Sequence, residues 1–114
     1  MVVFDVKNNK ELTRIKVGEK PVDLQISGKK SEIYVLSAGS DELNIIDMQE
    51  FKVRKTIALN SGGFPAKITI LEKENKALIT NQNSFQIIIY AMNKEKVLGN
   101  IPMSKSISFL QVSK

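Results

Sequence analysis

"PVDLQISGKKSEIYVLSAGSDELNIIDM" (Pro21–Met48) and "PAKITILEKENKALITNQNSFQIIIYAM" (Pro65–Met92) align without a gap at a spacing of 44 residues. A period of this size marks a repeat architecture, in which a single unit cannot bury its apolar face and stacked neighbours do so together. The match continues, with Lys52-Val53 on Lys96-Val97 and Ile57 on Ile101. Upstream, "VVFDVKNNKELTRIKV" (Val2–Val17) matches the end of a unit, Asp5 lying on Asp47 and Ile15 on Ile57. Downstream, "SISFLQVSK" (Ser106–Lys114) resembles the head of a further one. The expected organisation is a partial unit over residues 1–20, full units over 21–64 and 65–104, and a first strand of another unit over 105–114.

Within each unit the pattern is that of strands. Apolar residues alternate, or run for four to seven positions rich in Ile, Val, Leu and Tyr, which is too short for helices and right for strands. Four strands per unit are expected. The first alternates, Val22, Leu24 and Ile26 on one side and Asp23 and Gln25 on the other, which predicts one buried face. The second and third, with Ile33 to Leu36 and Ile45-Ile46, are apolar on both faces and require cover above and below. The fourth, from Val53 to Leu59, alternates again, as a wetted edge strand does. Gly28 to Ser31, Lys73 to Lys76, Gly39 to Asp41 and Asn81 to Ser84 supply the hairpin turns. A four-stranded meander with a doubly apolar middle must be sandwiched between equivalents, and radial stacking of that kind is a β-propeller. Three units would already exceed this chain, and a closed ring needs at least about four. The expected fold class is all-β, with antiparallel four-stranded blades in an incomplete propeller, either a segment of a longer one or an open fan.

The residues resemble the YVTN-type β-propeller repeats of bacterial and archaeal surface and periplasmic proteins. That family's order of opening proline, "SPDGK"-type turn, "YVTN" strand, polar loop and "VxVID" strand is followed by "ISGKKSEIYVLSAGSDELNIIDM", with Tyr34-Val35 and Ile45-Ile46-Asp47, and "ALITNQNSFQIIIYAM" keeps Thr80-Asn81, while the Pro-Asp-Gly turn is replaced by Ser-Gly-Lys in one copy and Glu-Lys-Glu-Asn in the other. The third-strand Asp becomes Ala91 in the second copy, and the absence of Trp argues against WD-repeat and quinoprotein-like blades. The resemblance implies a periplasmic or cell-surface setting, although the N-terminus reaches Asp5 before any long apolar run and shows no signal peptide.

Composition removes much chemistry. The chain has no Cys and no His, which excludes disulfides, thiolate nucleophiles and the commonest nitrogen ligand of metals. No cofactor or metal is expected. Every apolar run is interrupted within about ten residues, short of the roughly 20 that a spanning helix needs, so no membrane span is expected. The formal charge of +5 comes from scattered lysines, and Arg14 and Arg54 are the only arginines. Nucleic-acid binding surfaces cluster such charges beside aromatic platforms, so a nucleic-acid partner is not expected.

Candidate binding residues lie on the loops that propellers of this kind use as a rim: Ser40 and Asp41, Asn83, and "NSGGFP" with Asn60, Ser61, Gly62, Gly63 and Phe64. That last loop reads as two residues longer than its counterpart "GEKP". Its Gly-Gly would admit positive φ and either cradle an anion or present Phe64 for stacking, against the plainer reading of an interblade turn with Phe64 tucked between sheets. Asp41, Glu42 and Asp47 read as turn and strand-end caps in preference to a carboxylate cluster, and Tyr34 and Tyr90 as core residues with an outward hydroxyl. No catalytic residue is assigned. The expected function is a non-enzymatic scaffold for protein, glycan or small-ligand binding, with self-association through exposed blade faces. The alternative is a fragment of a lactonase-like or other enzymatic seven-bladed propeller.

Overall fold

The alternating and doubly apolar stretches become ten strands in the computed structural model, which describes residues 1–5, 7–59, 64–82 and 86–102. Strands β1 (Val2–Asp5) and β2 (Lys10–Arg14) form an antiparallel pair. A four-stranded antiparallel sheet follows from β3 (Pro21–Ser27), β4 (Glu32–Ser37), β5 (Glu42–Asp47) and β6 (Lys52–Ala58), paired in chain order. A second sheet repeats it with β7 (Pro65–Leu71), β8 (Lys76–Asn81), β9 (Gln86–Ala91) and β10 (Lys96–Pro102).

The two sheets repeat even in their irregularities. Each shifts register directly after its opening proline, between Pro21 and Asp23 and between Pro65 and Lys67. Proline has no N–H to give the ladder, so a strand opens on it or bulges beside it. The turns repeat as well. Left-handed backbone occurs at Ser31 and Asn75, at Lys20 and Phe64, and at Phe51 and Glu95, each pair 44 residues apart, and the Phe51 position recurs upstream at Asn9. A hairpin turn whose last residue is left-handed matches the twist of its strands, and glycine or asparagine is the usual occupant. Here the geometry is held at Phe51 and Glu95 by paired bonds, Phe51 N–H to the Asp47 carbonyl and Glu95 N–H to the Ala91 carbonyl, both 2.8 Å. The turn before β8 spans residues 72–75, so Lys76 opens the strand instead of closing the turn as its sequence position had indicated.

Alternation along β4 and β5 serves two cores at once. Tyr34, Leu36, Leu43 and Ile45 point to the interface with the second four-stranded sheet, where they meet Ile68, Ala77, Ile79, Ile88, Tyr90 and Met92. Ile33, Val35 and Ile46 point the other way, toward Ile15 and the β1–β2 pair. The doubly apolar middle strands are thus covered on both faces, as their sequence requires.

The first strand departs from its pattern. Ile68 of β7 is fully buried, but its equivalent Leu24 is 47% exposed and flanked by exposed Val22 and Ile26. The cause is placement: β7 lies against β3 and β4, whereas the corresponding side of β3 faces a sheet with only two strands among the described residues.

Candidate functional site

One end of the sheets gathers the loops singled out by sequence. The connection from β2 to β3 covers residues 15–20 and that from β6 to β7 covers 59–64. Counted from equivalent ladder positions, Ile15 bonded to Met1 and Ile57 opposite Leu43, the second connection is two residues longer than the first, as "NSGGFP" against "GEKP" indicates. The β4–β5 hairpin sits between the connections. On one side Ala38 N–H bonds the Lys20 carbonyl and Gly39 N–H the Glu19 carbonyl, both at 2.9 Å, and on the other Leu59 N–H bonds the Asp41 carbonyl at 2.8 Å. The next blade repeats the first of these with Gln82 N–H on the Phe64 carbonyl, 3.0 Å.

Beneath the rim lies a polar network centred on buried Asn44, set between apolar Leu43 and Ile45. Its Oδ1 accepts from Ser37 Oγ at 2.7 Å and from Gly18 N–H at 3.0 Å, while its Nδ2 donates to Glu42 Oε2 at 2.8 Å and to Thr56 Oγ1 at 3.3 Å. Every hydrogen-bonding position of the amide is used, which is the condition for burying it without penalty. Gly18 is required by the same packing, because a Cβ there would collide with Ser40 Oγ and Glu42 Oε2 and lie 2.8 Å from Ser37 Cβ. Sequence reasoning passed over Asn44, although a lone amide between Leu43 and Ile45 was the signal. In the second unit Ile88 takes its place, and buried Asn81 replaces Ser37 with no side-chain partner found among the described residues.

The candidate residues divide between framework and display. Ser40 Oγ accepts the Glu19 N–H at 3.0 Å, and Asp41 has left-handed backbone, so both shape the hairpin. Asp47 caps the next turn, its Oδ1 accepting from Gln49 N–H at 2.7 Å and Glu50 N–H at 3.2 Å, as its strand-end position implied. Phe64 differs from the tucked arrangement: it is 42% exposed, on left-handed backbone, at the rim. Asn60, Ser61, Gly62, Gly63 and Asn83 lie outside the described residues.

At the opposite end of the sheets a charged clasp crosses between them. Arg54 bonds Glu32 at 2.7 Å and Glu95 of the neighbouring sheet, and Lys55 stands 3.6 Å from Glu95. The hydrogen bond from Arg54 holds the Glu95 carboxyl below its usual range. Below the clasp Tyr34 and Tyr90 meet edge to face at 6.3 Å. Burial, reinforced by the hydrogen bond to Glu32, pushes the Tyr34 hydroxyl upward, and burial beside Glu95 pushes Tyr90 up to about 12. The Tyr34 hydroxyl donates to Glu32 Oε1 at 3.0 Å, while the Tyr90 hydroxyl is buried with no hydrogen-bond partner found among the described residues, in place of the outward position expected of it. Among the described residues no three His, Cys, Asp or Glu side chains converge on a metal position, and no helix is long and apolar enough to cross a membrane.

No protein-family model matches the chain, and no curated protein matches it by sequence. Solved structures do. The hydrazine synthase of Kuenenia stuttgartiensis superposes with a TM-score of 0.81 at 19% identity over 90% of this chain and 29% of its own. Apo AztD from Citrobacter koseri gives 0.77 at 16%, over 92% of this chain and 30% of its own. The Cps50 (Swd1) β-propeller domain of Myceliophteria thermophila gives 0.66 at 11%, over 80% and 27%. The chain has the fold of an open, partial β-propeller. It spans under a third of each of these proteins, and identities this low carry the fold alone. The YVTN resemblance therefore reduces, on these comparisons, to the propeller architecture.

Proposed function

We infer that this propeller segment is a non-enzymatic binding module whose rim presents Phe64 to a protein or glycan ligand. The observation that carries the reading is the contrast at the rim. The polar side chains of Ser37, Ser40, Glu42 and Asn44 are engaged with one another and with loop backbone, whereas the Phe64 ring stands 42% exposed on a backbone conformation that disfavours a bulky residue. An exposed aromatic ring stacks on sugar faces or fills a partner's pocket at low entropic cost. The alternative, a fragment of a lactonase-like enzyme, would place histidine or converging carboxylates on the rim. This chain has no histidine.

The reading is tested by probing an oligosaccharide array with the whole chain and with Phe64→Ala. The expected result is binding that falls at least about tenfold in the variant, the usual effect of truncating a central aromatic contact, with the circular dichroism spectrum unchanged. Equal binding by both proteins would remove Phe64 from the site, and turnover of a lactone by the whole chain would favour the alternative.

A further inference from the structure

The apolar side of β3 is the feature that the rim leaves unexplained. Val22, Leu24 and Ile26 are 44%, 47% and 54% exposed, yet Ile68, which holds Leu24's place in the next blade, is fully buried. Beside β3 opens a groove of about 450 Å3 lined by Met1, Pro21, Val22, Asp23, Leu24 and Val35. What occupies the corresponding place between the two complete blades is a first strand: β3 itself lies across β7, and Asp23 Oδ2 accepts the Ile68 N–H at 3.0 Å. The β1–β2 pair corresponds to the third and fourth strands of a blade, so the groove has the position and the chemistry of a seat for a first strand.

The sequence carries one more stretch with the pattern of a first strand. Leu110-Gln111-Val112-Ser113 repeats Leu24-Gln25-Ile26-Ser27, and this register sets Phe109 on the position of Asp23. At that position β3 reaches its neighbour with a carboxylate aimed at a backbone N–H; a phenyl group there suits the exposed Val22 and Leu24 instead. In the chain the segment comes after β10 of the second four-stranded sheet, while the groove belongs to β3 of the first. We propose that residues 105–114 of one copy enter the β3 groove of a second copy, a head-to-tail contact in which each chain is both donor and acceptor. Contacts of this kind close into rings or grow into open arrays according to the rotation between copies. The inference is independent of the rim reading, since it uses none of the rim residues.

Sedimentation velocity on the full chain, on Leu24→Lys and on Leu110→Asp tests it. Leu24 is already half exposed, so the lysine leaves the core intact, and a retained circular dichroism spectrum checks the fold of both variants. The wild-type chain is expected to sediment as a dimer or larger and each variant alone as a monomer. An equimolar mixture of the two variants is expected to restore one-to-one dimers, because the Leu24→Lys copy still brings an intact 105–114 segment to the intact groove of the Leu110→Asp copy. A wild-type monomer at the highest soluble concentration overturns the proposal, and so does association that survives Leu110→Asp, which would mean that the β3 faces pair with each other. Failure of the mixture to dimerise overturns the complementarity between groove and segment.

Discussion

Left-handed backbone at non-glycine residues is the least expected property of individual positions in this chain. Ser31 holds φ 54°, is exposed and closes the β3–β4 turn. Its Cβ opposes that conformation by about 1 kcal/mol or slightly more, and glycine removes the opposition at the cost of some unfolded-state freedom. Ser31→Gly is expected to stabilise the chain by about 1 kcal/mol, seen as a higher midpoint in urea unfolding with an unchanged slope. Phe51 shares the backbone geometry but packs against the core around Ile15 and Ile46, so there the ring's burial offsets the strain. Single-residue conformation of this sort was not legible in advance, because Ser, Phe and Glu carry no turn signature of the strength that Gly or Asn has. Asp47 was legible, because a short carboxylate at a strand end has N–H groups within reach of it and little else.

At the scale of elements, the interface between blades joins an apolar centre to a charged outer end. Arg54 touches Glu32 on its own blade and Glu95 on the next, so one guanidinium spans both sheets. Exposed pairs contribute little singly, and Arg54→Gln is expected to cost about 1 kcal/mol for the pair together. The pH dependence gives the sharper signature. The Glu95 carboxyl is held below the 4.5 of the free group, so its contribution is present above that value and disappears as pH falls through the lower, folded value. The stability gap between wild type and Arg54→Gln, measured by urea unfolding, should be constant near neutrality and narrow progressively below about pH 4.5. The four strands of each blade were readable from period-two alternation and from apolar runs of strand length. The exposure of Val22, Leu24 and Ile26 was not, because a buried face in sequence states what a strand needs and not whether its cover is present. The clasp was hidden for another reason: Glu32, Arg54 and Glu95 are far apart along the chain and Glu95 belongs to the next unit, so no local pattern links them.

For the molecule as a whole, the buried Tyr34–Tyr90 contact lies in the core shared by the two complete blades. These are the only tyrosines and the chain has no tryptophan, so phenolate absorbance reports this interface alone. Burial holds the Tyr90 hydroxyl protonated up to about 12 and raises Tyr34 in the same direction, while an unfolded chain releases both protons near 10. The folded state therefore loses stability as pH rises above 10. An alkaline titration is expected to show no phenolate at pH 10, where free tyrosine is half ionised, and then a single steep rise coincident with loss of the β-sheet circular dichroism signal. A gradual titration centred near 10 in a chain that remains folded would contradict the burial of the pair.

The hydrogen bond from Ile68 N–H to Asp23 bears on how such a protein can evolve. Tandem duplication begins with units that are interchangeable, each accepting any copy as its neighbour. Asp23 has Lys67 as its counterpart in the following unit, so the two complete blades no longer offer the same face to what comes next. A gene rearrangement that exchanged their order would place an ammonium where a carboxylate now receives a backbone N–H, leaving that group without its acceptor. The order of the units is thereby written into the chain, and recombination between them is penalised although their shapes still superpose.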